Sequence, residues 1–128
     1  MSVPLAEGSS AERLSLEIPL DAAHILTVRV FAGGVARSLE LGEEVAETLR
    51  LTLTEICSEA IERRRGGRIS IDMLRDVAGV HVIVEATGAP RNDMDPSDRS
   101  LRRALLEALA PDASFVEHDG RSVVTFTV

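Results

Sequence analysis

Residues 53–65 read LTEICSEAIERRR, and their spacing fixes a helix around which the rest of the chain can be ordered. Leu53, Ile56 and Ala60 recur at helical intervals, while Glu55, Glu59 and Glu62 fall within about 60° of one another on the flank of that stripe. Upstream, Val45 and Leu49 extend the stripe. Glu43 and Glu44 open the segment and Arg63, Arg64 and Arg65 close it, a charge order that complements the helix dipole, with Gly66 and Gly67 as the stop. On this pattern the three glutamates are a solvated flank, with Glu59 and Arg63 available as a pair four residues apart. Cys57 lies on the buried side as a small core residue.

Around this helix the segments alternate in period. Leu14, Leu16, Ile18 and Leu20 share one face of a half-buried strand, with Pro19 marking an edge or an end. Asp21 is suited to cap a first helix carrying Ile25, Val28, Ala32, Val35 and Leu39, in which Gly33 and Gly34 suggest close packing by a neighbour. After Gly67, RISIDML and GVHVIVEA form a hairpin, and TGAPRNDMDPSD is a long loop expected to be mobile. A third helix, SLRRALLEALA, points Leu101, Leu105 and Ala108 inward and Arg99, Arg102 and Arg103 outward. A last hairpin turns at Asp119–Gly120. Residues 1–12 read as a flexible tail, and residues 13–128 as one α+β domain. Its expected architecture is a two-layer sandwich, a mixed, mostly antiparallel sheet covered on one face by helices.

Composition narrows the function classes. The 128 residues include 45% hydrophobic side chains, enough for one core, and a formal charge of −7 that argues against nucleic acid as a ligand. Lysine is absent, so every mechanism that needs one is excluded. A single cysteine rules out an intrachain disulfide, and His24, His81 and His118 show no metal-ligand spacing. No apolar run reaches the roughly 18 residues of a membrane span, and no leader pattern opens the chain, so a cytoplasmic protein with no membrane partner is expected.

The element order, with TEICSEAIE on the second helix and VIVEATGAP before the long loop, resembles the histidine-kinase-like ATPase fold. Within it the chain is similar to the anti-sigma-factor serine kinases of bacterial partner-switching systems. That resemblance implies a catalytic carboxylate at Glu55, and at Glu59 the position where the family uses asparagine to hold magnesium on the nucleotide phosphates. It also places Ala86 where an aspartate accepts from the adenine amino group, and Gly88 and Pro90 where two glycines follow. Ala86 cannot accept that bond, Pro90 lacks an N–H and has a fixed φ, and Asp93, Asp95 and Asp98 sit where a glycine-rich lid would cradle phosphate. On this resemblance all three nucleotide-binding motifs are degenerate, although Gly88 is kept.

What the resemblance then implies is an anti-sigma factor or switch protein. It would bind a sigma factor and/or an anti-anti-sigma factor, need no cofactor, and form a homodimer as family members commonly do. The alternative is a divergent serine kinase that uses Mg-ATP, or leaves Mg-ADP, to phosphorylate an anti-anti-sigma factor through Glu55. A third class is an ATPase-fold dimerisation module with an unrelated partner.

Overall fold

The computed structural model describes residues 12–91 and 96–128. Of the expected tail only Glu12 falls within them, as the first residue of a strand, and the centre of the long loop, with Asp93 and Asp95, lies outside the described residues, as does the side chain of Asp98.

Five strands form one sheet: β1 (Glu12–Pro19), β3 (Arg68–Asp76), β4 (Gly79–Thr87), β7 (Arg121–Thr127) and β6 (Ser114–His118), in the order β1-β3-β4-β7-β6. Every neighbouring pair is antiparallel. A row of apolar side chains crosses the whole sheet, from Leu16 through Ile71, Val84 and Val124 to Phe115. A second row runs through Leu14, Met73, Val82 and Phe126. Period-2 alternation puts both rows on the same face, which buries them under the helices. The opposite face carries ion pairs between neighbouring strands, Arg13–Asp72, Arg68–Glu17 and Arg121–Glu85, and remains solvated. This is the expected two-layer α+β sandwich.

Three helices supply the second layer: α1 (Ile25–Ser38), α2 (Glu43–Arg63) and α3 (Pro96–Leu109). Asp21 caps the 3-10 turn that leads into α1, its side chain accepting from the Ala23 N–H. Val28, Ala32, Val35 and Leu39 are buried as their spacing requires, and so are Leu49, Leu53, Ile56, Cys57 and Ala60 on α2. Asp119 and Gly120, both at positive φ, make the tight turn between β6 and β7.

Four expectations are corrected. Gly33 and Gly34 have no close neighbour among the described residues, since a Cβ at either would meet nothing within 4 Å. Val45 is exposed rather than part of the stripe, because it lies in the first turn of α2, beyond the edge of the core. Helix α2 ends at Arg63, and Arg64–Arg65 become a short strand, β2, paired with β5 (Ala89–Pro90). Finally, α3 is rotated from the face its leucines suggest. Leu106 and Ala110 are buried and Arg102 and Arg103 lie half-buried, whereas Leu101 and Leu105 are exposed.

Candidate functional site

The rotation of α3 follows from what it packs against. The flank of α2 facing it carries three carboxylates, and burying leucine there would strip those groups of water without offering a partner. Arginine satisfies them instead. Arg102 places Nε 3.2 Å from Glu55 Oε1 and forks onto Glu62, with Nη1 3.0 Å from Oε1 and Nη2 3.2 Å from Oε2. One residue further on, Arg103 Nη2 lies 4.0 Å from Glu59 Oε1, and its guanidinium rests over the Phe115 ring, 4.0 Å from the centroid. Two helices are thus joined by a ladder of arginine on carboxylate.

Beneath Arg103 is a small cavity between α2 and the end of the sheet, lined by Glu59, Ala60, Arg63 and Arg64 on one side and Val84, Ala86, Phe115 and Glu117 on the other. Its free volume is about 30 Å³, room for about two water molecules. Clefts that hold drug-sized ligands run to roughly 300–1,000 Å³. Glu59 is 5% exposed, and its Oε2, like Arg103 Nε, is buried with no hydrogen-bond partner among the described residues.

The rim of this cavity is built by Arg64, itself buried. Arg64 Nη1 donates to the Gly88 carbonyl at 3.1 Å and Nη2 lies 3.3 Å from Glu117, which also meets Arg63 at 3.2 Å. The extended backbone at Arg64 is what lets it do this. It pairs with Pro90 across the β2–β5 ladder, and the Arg91 N–H donates to the Arg63 carbonyl at 2.6 Å. Gly88 holds φ at +141°, and a Cβ there would stand 2.7 Å from the Arg65 carbonyl oxygen, so this close approach requires glycine.

The sequence-predicted positions therefore divide. Glu59 and Ala86 line the cavity, with Ala86 2% exposed and presenting only a methyl group, while Gly88 reaches its rim only through the carbonyl that accepts from Arg64. Pro90 sits exposed on the adjoining ladder, and Glu55 lies outside the cavity in the groove between α2 and α3, held by Arg102. Two expectations about charge are overturned. Glu59 is not part of a solvated flank and does not pair with Arg63, because Arg63 turns to Glu117 while Glu59 turns inward under Arg103. Arg102 and Arg103 are not an outward basic face, having become the inner face of α3. Arg64, Arg102, Arg103, Phe115 and Glu117 were not foreseen in these roles. One signal was present, since Arg103, Leu106 and Ala110 share the helical spacing that Leu101, Leu105 and Ala108 also show.

Cys57 is fully buried on α2, and burial pushes its thiol from an ordinary 9.0 to about 12, which makes it inert as a nucleophile at neutral pH. Among the described residues no group of three or more histidine, cysteine or acidic side chains could hold a metal, and no helix is long and apolar enough to cross a membrane.

A five-stranded antiparallel sheet backed on one face by three helices, with a cavity where the second helix, the third helix and the end of the sheet meet, defines an α+β sandwich of the ATPase type. The family described as histidine kinase-like ATPase domain matches residues 18–126, and the chain belongs to it. A comparison with curated proteins found no match.

Proposed function

We propose that this protein is an anti-sigma factor or related switch component of a bacterial partner-switching system, in which binding of adenine nucleotide has been lost or weakened. Membership of the histidine kinase-like ATPase family supports the general class. One observation supports the loss of nucleotide: Arg103, resting over Phe115 and turned to Glu59, closes over the cavity beside Glu59 and Ala86, whose free volume is about 30 Å³. The residues present do not fit Mg-ATP or Mg-ADP. Ala86 offers a methyl group where the adenine amino group needs an acceptor, and an unmatched donor of that kind costs about 1–3 kcal/mol. Glu59, the position proposed for magnesium, is buried beside a cation of the chain's own. Glu55, the proposed catalytic carboxylate, is engaged by Arg102. Each of these supports a binding protein over the divergent kinase.

A sigma factor, an anti-anti-sigma factor or both are the proposed partners, and the formal charge of −7 suits basic surfaces. Opposite charge of this kind raises the association rate more than the final affinity. Surface plasmon resonance against sigma factors of the source bacterium, with and without Mg-ATP and across a salt series, tests the proposal. Binding without nucleotide, with an on-rate that falls as salt rises, is expected; binding that requires Mg-ATP would restore the kinase.

A further inference from the structure

Two leucines of α3 stand exposed among the described residues. Leu101 is 73% exposed and Leu105 42%, and with Arg102, Glu55 and Glu62 they line an open groove of about 430 Å³ between α3 and α2. At the other end of the same helix pair, Glu44, Val45 and Thr48 of α2 meet Leu109 and Ala110 of α3 around a second depression of about 190 Å³. The two helices are thus antiparallel, and the depressions lie along one seam. On α2 that seam is followed by Glu44, Thr48, Leu51, Glu55, Ser58 and Glu62, spaced alternately by four and three residues and so on a single helical face. From Glu44 to Glu62 it extends about 27 Å, the length of a helix of about 18 residues.

Charge decides what fits. Arg102 is shared by Glu55 and Glu62, so that cluster keeps a net negative charge, and Glu44 adds another carboxylate at the far end. Exposed leucine at one end, Leu51 near the middle at 39% exposure, and acid at both ends of the seam complement a helix with an apolar stripe flanked by cations. We propose that the α2–α3 seam is the docking groove for a basic amphipathic helix of the partner protein. This deepens the sigma-factor proposal and rests on it for the partner's identity, but the groove can be tested without that partner.

The probe is an 18-residue amphipathic helical peptide of leucine and lysine, with a leucine–glutamate peptide of the same pattern as control. Binding is measured to the wild type and to Leu101→Ser/Leu105→Ser, two exposed positions whose change leaves the charge of the protein untouched. The lysine peptide should bind the wild type, lose at least about tenfold in affinity to the double variant, which corresponds to about 1.4 kcal/mol, and outbind the glutamate peptide. Equal binding of the lysine peptide to both proteins, or equal binding of the two peptides, would overturn the groove. A wild-type dimer that the double variant dissociates would also overturn it, by assigning the seam to a second copy. The same variant is then tested with the sigma factor. Undiminished sigma binding would sink the groove and leave the proposed function standing. If neither a sigma factor nor an anti-anti-sigma factor binds either protein while the lysine peptide still requires the leucines, the proposed function fails and the groove stands.

Discussion

Replacing Arg103 with alanine removes the group that closes over the cavity, and the structure sets the size of the effect. The guanidinium contact with Phe115, at a partly exposed site, contributes about 1 kcal/mol. The same substitution leaves the Glu59 carboxylate buried beside no cation on α3. Breaking a well-formed buried ion pair costs about 3–5 kcal/mol. Here the gap is 4.0 Å and the Arg103 side chain is 37% exposed, so about 2 kcal/mol is the appropriate share. Together these give about 3 kcal/mol, which at a urea m-value of about 1.5 kcal/mol/M moves the unfolding midpoint down by about 2 M. The asymmetry of the pair supplies the sharper test. Glu59→Gln keeps the volume and removes the charge, leaving an arginine that water can reach, so it should cost at most about 1 kcal/mol. In the Glu59→Gln background, Arg103→Ala should then cost only about 1 kcal/mol, a coupling of about 2 kcal/mol between the two sites. Equilibrium unfolding of the four proteins in urea measures it. Additive effects, with coupling below about 0.5 kcal/mol, would refute the assignment of Arg103 as the counter-charge of Glu59.

Three further expectations follow from other parts of the molecule. Gly33→Ala should stabilise the protein by about 0.5–1 kcal/mol, because the added methyl meets nothing in the middle of a helix, whereas Gly88→Ala should destabilise it by about 2 kcal/mol or more through its positive φ and the Arg65 carbonyl; thermal unfolding separates the two signs. Arg102→Ala should cost about 1–2 kcal/mol in the same assay, since it releases two carboxylates that are only partly exposed, and Arg102→Lys should recover little of it because lysine lacks the fork that spans Glu62. The Cys57 thiol, held up at about 12, keeps its proton in the folded state while the unfolded thiol ionises near 9.0, so its contribution is complete below about pH 9 and is lost as pH climbs towards 12. Urea titrations between pH 8 and 11 should show a steeper fall in stability for the wild type than for Cys57→Ala.

Most of the scaffold could be read from local pattern because local pattern determined it. The first and second helices, both hairpins and the inward faces of the strands follow from spacing, a capping aspartate and dipole-matched charges, and the structure keeps them apart from Val45 and the last two arginines of the second helix. Helix α3 escaped because two stripes with the same period compete on it, and counting apolar residues favours Leu101 and Leu105 over Arg103, Leu106 and Ala110. What decides between them is the row of carboxylates on α2, a tertiary fact. The same holds for Glu59, which reads as solvated until Arg103 and the end of the sheet close over it. The β2–β5 ladder is only two residues on each side, too short to leave a periodic trace, and Arg64 owes its burial to that ladder and to the Gly88 carbonyl. Glu59 and Ala86, singled out by the resemblance, line one cavity, while the arginines that line it with them come from α3 and the end of α2, outside any motif.

The most direct test of whether the chain's own arginines have replaced the nucleotide is calorimetric titration of Mg-ATP, and separately Mg-ADP, into the wild-type protein. The loss of the acceptor at Ala86 and of a glycine at Pro90 would each weaken a micromolar site by about 1–3 kcal/mol, moving it towards millimolar. No saturable heat at ligand concentrations up to about 100 μM is the expected result. A dissociation constant below about 10 μM for either nucleotide would contradict the account, because Arg103 could not then remain over Phe115 and against Glu59 while the ligand occupied the same space.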